Sequence, residues 1–312
     1  MPVLSVILIN FNRSHDTIEC IESLERSSFR DFDIIVVDND SQDGSADLLR
    51  SRFPRITLLV QKTNLGFAEG NNVGIREALS HGTSQILLLN NDTIVDPNAL
   101  QVLSGFLAGS PSLGVAGPKI YYYDRPTTLW FAGGHVNADA ASFGHYGLGE
   151  HDHGQYDVAR QCDYVTGCCL LFRREVAERV GLLESAYFAY LEDADFCLRA
   201  RQAGFQVMYQ PKAVIYHKVS MTSAWDSPVY LYFSLRNKII LLRKHGSFTR
   251  TFPYFPQLVY YYVRQFIRLI FKWRDMAKTR AAWYGLVDGL LNRTGQHGEG
   301  RLAEIMPSGG RQ

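Results

Sequence analysis

The sequence lacks most features that would announce a specialised scaffold. Its 312 residues hold 5 cysteines (Cys20, Cys162, Cys168, Cys169 and Cys197), none in a CxxC pair with zinc-ligand spacing, so neither a disulfide framework nor a zinc ribbon is expected. An odd count of thiols suits a reducing compartment. No GxxxxGK[ST] loop occurs and no GxGxxG follows the first apolar run, which disfavours P-loop nucleotide hydrolases and dinucleotide oxidoreductases. No uninterrupted apolar run approaches the ~20 residues of a membrane-spanning helix. The N-terminal MPVLSVILINFNR has neither the basic leader nor the small-residue cleavage site of a signal peptide, and it reads as a buried first strand of a cytoplasmic protein. Without such a signal, the acceptor-like tripeptides at Asn12, Asn39, Asn91 and Asn292 are not expected to carry glycans. Repeats and low-complexity tracts are also missing.

An excess of one charge is absent too, with 32 Lys/Arg against 31 Asp/Glu and a net charge of +1. That balance hides an asymmetry. Between Arg236 and Arg280 stand eleven Lys/Arg and one acid, Asp275, so the rest of the chain is acidic and the two parts are expected to meet different partners. Hydrophobic residues at 46% and charged residues at 20% describe an ordinary globular chain, long enough to bury a core as one large domain or two smaller ones.

Short β-branched runs, Val3 to Ile9, Ile34 to Val37, Ile56 to Val60 and Ile86 to Leu89, alternate with helical patterns. Strands apolar on both faces and separated by helices predict an α/β fold with a mostly parallel sheet covered on both sides. Ligands of such sheets bind beyond the carboxyl ends of the strands. The residues there are polar every time: Asn10 and Asn12, then Asp38, Asn39 and Asp40, then Asn64, then Asn90, Asn91 and Asp92. Turn chemistry explains any one of them, but four strand ends on one polar rim point to a site. Further on, the spacing predicts a helix from Pro97 to about Leu107, irregular chain over 121–156, and a buried strand YVTGCCLLF. A helix closed by Gly181 follows, then a helix from about Asp193 to Gly204 and two short strands near Val207 and Val214. A domain boundary is placed near Ser220 to Ser227.

Five blocks then carry a resemblance. SVILINFNR (5–13), IIVVDNDSQDGS (34–45), NLGFAEGNNVGI (64–75), LLLNNDTIVDP (87–97), and VTGCCLLFRREVAERVG through YLEDADFCLRARQAGF (165–205) occur in an order that resembles family 2 glycosyltransferases of the GT-A fold, close to bacterial rhamnosyltransferase-like members. The resemblance implies a catalytic domain over 1–225, with a nucleotide-sugar half at about 1–120 and an acceptor half at about 121–225. A basic, aromatic, mainly helical extension occupies 226–312.

A carboxylate closing a buried strand, as Asp38 does, can accept hydrogen bonds from a pyrimidine ring or a ribose hydroxyl, and the family resemblance supports it as a nucleotide ligand. Departure of a nucleoside diphosphate develops negative charge that a hard divalent cation, Mg²⁺ or Mn²⁺, would stabilise through carboxylate and phosphate oxygens. The resemblance implies Asp92 as metal ligand, although the first acid of the family's DxD motif is here the amide Asn90. It also implies His217, in VIYHK, as a second ligand. An acceptor hydroxyl must lose a proton to attack the anomeric carbon. The family's ED motif, here Glu192-Asp193, implies Asp193 as that base. Glu192 points about 100° away on a helix and cannot share the task; with Asp195 and Gly167 it is expected on the acceptor side. Asn64, Gly66 and Asn71 are expected near the donor, where glycine allows close backbone approach, and Arg236 is expected either to contact phosphate or to lie on a basic helix face.

In PQLVYYYVRQFIRLIFKWRD (256–275), Arg264, Arg268 and Lys272 recur at steps of four among aromatic and aliphatic residues. Such a basic amphipathic helix, within about 250–280, suits the inner face of an anionic membrane, packing on the catalytic domain, or a homodimer interface. Nucleic acid fits poorly, because no recognised binding motif accompanies the charge. The reading is an inverting transferase moving a sugar, with rhamnose from dTDP-rhamnose favoured over a UDP-linked hexose, to a cell-surface glycan or polyprenyl-linked acceptor. A nucleotidyltransferase and a non-catalytic nucleotide-sugar-binding module are the rivals from other classes.

Overall fold

The computed structural model describes residues 2–219 and 227–295. The described residues form two compact units, the first comprising 2–135, 144–184 and 192–219, the second 136–143, 185–191 and 227–295. The boundary expected near Ser220 to Ser227 falls, but for Ser227, outside the described residues.

In the first unit, β1 (Leu4–Asn10), β2 (Phe32–Asp38), β3 (Thr57–Val60) and β4 (Gln85–Asn90) are joined by the helices α1 (Ser14–Glu25), α2 (Ser45–Arg52) and α3 (Gly66–Ser80). β1 pairs in parallel with β2 on one side and β4 on the other, and β3 extends the sheet beyond β2. Leu4, Val6, Ile7 and Leu8 of β1 are fully or almost fully buried, as a strand covered on both faces requires. α3 lies so close to β1 that a Cβ on Gly74 would come within 2.5 Å of Ile7, so glycine is needed there.

The register makes the strand ends level. Asn10 lies opposite Asp38, Asp38 opposite Val60, and Ile9 opposite Asn90. Strand order reverses at β1, which places the ligand-binding crevice of an open α/β sheet at these residues.

The sheet continues through β5 (Thr93–Val95), α4 (Ala99–Ala108), β6 (Leu113–Tyr122), β7 (Leu129–Phe131), β8 (Gly134–Asn137), β9 (Ser142–His145), β10 (Arg160–Gln161), β11 (Cys169–Arg173), α5 (Arg174–Val180), α6 (Glu192–Gln202) and β12 (Gln206–His217). β11 is antiparallel to both β4 and β6, whereas β12 runs parallel to β6, and a separate hairpin joins β8 to β9. Gly181 closes α5 at φ +81°, as its sequence position suggests.

Two expectations are corrected. Val207 and Val214 belong to one strand, β12, whose pairing shifts between Gln210 and Val214 around Pro211, a residue without an amide proton. The segment 121–156, expected to be irregular, contains the end of β6 and the strands β7, β8 and β9.

The second unit contains the helices α7 (Pro228–His245), α8 (Phe248–Thr251), α9 (Phe255–Ile267) and α10 (Met276–Leu290). Ser227 caps α7 by accepting from the Tyr230 amide at 3.1 Å, ahead of Pro228 in the first turn, and Asp275 caps α10 through the Lys278 amide at 2.9 Å. Gly285 lets α10 meet α7, since a Cβ there would stand 2.4 Å from the Tyr232 carbonyl oxygen. Leu231, Leu235, Leu269 and Ala282 form one buried cluster, against which Tyr262 and Phe266 pack.

Candidate active site

The polar rim is a hydrogen-bonded network. Asn10 Nδ2 donates to Asp38 Oδ2 at 2.7 Å and to Ser41 Oγ at 3.1 Å, while Asn10 Oδ1 accepts from Thr17 Oγ1 at 2.7 Å. Asn91 Nδ2 donates to the same Thr17 hydroxyl at 2.8 Å, so one side chain of α1 links β1 to the loop after β4. Asp38, only 1% exposed, also accepts from the Ser41 amide at 3.0 Å. Asn12, at φ 52°, accepts from the Gln42 amide, and Asp40, at φ 70°, accepts from the Gln42 side chain.

Asn39 performs a second tie. Its Nδ2 donates to Asn64 Oδ1 at 2.9 Å and to the Gly66 carbonyl at 3.2 Å, and its Oδ1 accepts from the Leu65 amide at 2.9 Å. These bonds fix the turn that opens α3, where Gly66 adopts φ +76°. Asn71 donates back to the Phe67 carbonyl within its own helix at 2.8 Å.

Asp92 and His217 meet because β5 pairs antiparallel with β12, setting His217 opposite Thr93. His217 Nε2 and Asp92 Oδ1 are 3.1 Å apart, both residues are buried, and the Lys218 amide donates to the Asp92 carbonyl at 2.9 Å. The edge of Trp130 packs on the imidazole at 4.5 Å between centroids. A carboxylate oxygen and an imidazole nitrogen about 3 Å apart match adjacent ligand atoms around an octahedral cation with bonds of about 2.1 Å. The pair therefore fits adjacent ligands of a divalent metal. Among the described residues the cluster of three metal-ligating side chains is His15, Asp16 and Glu19, yet Arg13 and Lys218 already neutralise its acids.

At the start of α6, Asp193 Oδ2 accepts from the Gly167 amide at 2.8 Å and Oδ1 from the Ala194 amide at 2.7 Å. A Cβ on Gly167 would lie 3.0 Å from the Phe67 ring, so that ring would have to give way by a few tenths of an ångström, and in ordinary contact with Asp193 at 3.6 Å. Burial raises the Asp193 pKa, while these two amides favour the ionised form. Burial, reinforced by the charge of Asp193, holds the Glu192 carboxyl well above the usual range, and its Oε2 has no hydrogen-bond partner among the described residues. Burial thus raises both adjacent carboxyls, and the Gly167 and Ala194 amides favour the ionised form at Asp193.

Two expected ligands are not placed as ligands. Asp195 is fully buried and accepts from Arg199 Nε at 2.8 Å, and Arg199 in turn holds the carbonyls of Val180 and Leu182. That arrangement is a buried ion pair. Arg236, expected at a phosphate or on a basic helix face, is fully buried inside the second unit. It donates to the carbonyls of Ala186, Tyr187 and Gly295 and to Asn237 Oδ1. Asn237 likewise donates to the carbonyls of Tyr187, Ala189 and Tyr190. Phe188, Tyr190 and Leu191 have positive φ, so this pair fixes a strained loop.

Sequence reasoning missed Thr17 and Trp130. Thr17 lies seven residues beyond Asn10, a spacing that carries no signal until β1 and α1 are placed, and Trp130 lies in the segment expected to be irregular.

Residues 5–181 match the family described as glycosyl transferase family 2. The chain belongs to that family. It is a family 2 nucleotide-sugar glycosyltransferase with the GT-A fold. A low-salt glycan biosynthesis hexosyltransferase of Haloferax volcanii is 24% identical over 305 residues, covering 94% of this chain and 92% of its own length. An N-acetylglucosaminyl-diphospho-decaprenol L-rhamnosyltransferase of Mycobacterium tuberculosis is 24% identical over 263 residues, covering 78% and 85%. This chain spans 25% of the length of another relative, an uncharacterised Sinorhizobium fredii protein. Among solved structures, a Pyrobaculum calidifontis mannosyltransferase in complex with GDP-Man and Mn²⁺ is similar at TM-score 0.55 and 15% identity, covering 94% of this chain and 88% of that one. GalNAc-T7 with UDP, GalNAc and Mn²⁺ is similar at TM-score 0.59 and 13% identity over 76% of this chain and 47% of that one.

Proposed function

We propose that this family 2 enzyme transfers a sugar with inversion, rhamnose from dTDP-rhamnose being the favoured donor, to a hydroxyl of a polyprenyl-diphosphate-linked glycan at the inner face of a membrane. The observation that carries the reading is the geometry at the start of α6, where the Gly167 and Ala194 amides hold the Asp193 carboxylate beside a Glu192 carboxyl that burial raises well above the usual range. Asp193 takes the acceptor proton while that oxygen attacks the anomeric carbon from the face opposite the leaving diphosphate. The strand-end rim built on Asp38, Asn10 and Asn39 binds and orients the nucleotide. Asp92 and His217 would hold Mg²⁺ or Mn²⁺, which when bound supplies positive charge for the departing diphosphate. The rhamnosyl donor and lipid-linked acceptor are favoured by the likeness to the mycobacterial relative and to a dTDP-rhamnosyl transferase of Shigella flexneri, 26% identical over 223 residues. A UDP-hexose is the second reading, favoured by solved neighbours bound to UDP or UDP-GlcNAc.

The test incubates the enzyme and Mn²⁺ with dTDP-rhamnose, UDP-glucose, UDP-GlcNAc or GDP-mannose and N-acetylglucosaminyl-diphospho-polyprenol. Glycolipid and released nucleoside diphosphate are measured. Acceptor-dependent release from dTDP-rhamnose is the expected outcome. Release from a UDP-sugar alone selects the second donor, and product formation that ignores Mn²⁺ removes the metal from the reading.

A further inference from the structure

The second unit leaves one helix face uncovered. α9 and the turn of π-helix that continues it to Trp273 press Tyr262, Phe266 and Leu269 against the core beneath, and the Tyr262 hydroxyl donates to the Leu235 carbonyl at 3.3 Å. No residue of α9 is buried. Its solvent-exposed side chains include Phe255, Val259, Tyr260, Val263, Ile267 and Phe271, most of them four residues apart; Phe255 is 61% exposed, Tyr260 65% and Phe271 72%. Six large apolar side chains on one stripe form a patch that soluble surfaces rarely leave bare. Arg264 and Arg268 flank the stripe, and the stretch from Arg236 to Arg274 contains no acid.

We infer that this face is a membrane-docking surface, with the apolar stripe entering the interface of an anionic bilayer and the flanking arginines meeting lipid phosphates. Charge decides among the occupants. A second copy packed isologously would bring the same basic flanks together without a compensating acid. An anionic lipid surface supplies the missing charge, and aromatic residues favour the level of the headgroups. Aliphatic residues such as Val259, Val263 and Ile267 offer no stacking platform for nucleic-acid bases. No described helix is long and apolar enough to cross a membrane, so attachment through this face would be reversible. The inference deepens the proposed transfer to a lipid-linked acceptor and rests on that reading only for its purpose.

The experiment is co-sedimentation of the full chain, without donor, metal or acceptor, with vesicles of phosphatidylcholine and with vesicles of phosphatidylcholine and phosphatidylglycerol in equal parts. At least tenfold tighter binding to the anionic vesicles is expected. F255S/F271S should lose at least tenfold, and R264A about fivefold, both keeping the wild-type melting temperature because these side chains face solvent. Equal binding to both vesicle types, or unchanged binding by F255S/F271S at a wild-type melting temperature, overturns the inference. So does a concentration-dependent dimer in sedimentation velocity that F255S/F271S dissolves, which would assign the face to a second copy. Should F255S/F271S fold poorly, the response of wild-type binding to lipid charge and salt still decides. Because vesicle binding needs no substrate, its failure and a failure of the transfer assay are separate results.

Discussion

The rim at the ends of β1 and β2 and the entry to α6 both present carboxylates beside a backbone turn, yet they are built on opposite principles. At the rim, Asp38 is enclosed by Asn10, Ser41 and, through Asn10, Thr17, so each buried polar group answers another. At α6 the environment is uneven: among the described residues Glu192 Oε2 has no hydrogen-bond partner, whereas Asp193 accepts from the Gly167 and Ala194 amides. A fully satisfied network rigidifies and specifies one arrangement. An uneven pair separates two pKa values and makes one group reactive. On the proposed function, the first region serves recognition and the second proton transfer.

The largest effect should come from removing the reactive member. Asp193→Asn keeps the shape and loses the base, so kcat should fall by about 10²–10⁴-fold while nucleotide binding, read by calorimetry, stays near wild type. A loss confined to KM would break the comparison by making α6 a recognition site.

Next comes a satisfied network outside both regions. Arg236→Met removes the donor to the carbonyls of Ala186 and Gly295 and one of the donors to Tyr187, and stability should drop by on the order of 3 kcal/mol in denaturant unfolding. Asn10→Ala should cost about 1–3 kcal/mol, because Asp38 and Thr17 each lose a buried partner. Weakened nucleotide binding should accompany that loss. If Asn10→Ala instead left both stability and binding unchanged, the rim would be a set of turns and not a built site.

Much of this was legible in the sequence because periodicity and strand-end polarity are local signals. The β-branched runs predicted β1 to β4, and Asn10, Asp38 and Asn90 follow from where those runs stop. The juxtaposition of His217 with Asp92 needs the antiparallel pairing of β5 and β12, which three short residues of β5 do not announce. Asp195 and Arg236 misled for a shared reason. Charged residues default to solvent or ligand in a sequence, and only the fold reveals that Arg199 neutralises one and backbone carbonyls surround the other. The strand β7, with Trp130, was hidden by the glycines, histidines and tyrosines around it.

The most direct test of the central claim is the pH–rate profile of sugar transfer for wild type and Glu192→Gln. Because burial holds the Glu192 carboxyl well above the usual range, glutamine stands in for its neutral form with similar shape. The account predicts kcat within about tenfold of wild type. Because burial raises the pKa of Asp193, wild-type activity should be present above an apparent pKa higher than an ordinary aspartate's and be lost as pH falls through it. Glu192→Gln should keep that acidic limb. An inactive Glu192→Gln beside an active Asp193→Asn would contradict the account and move the base to Glu192.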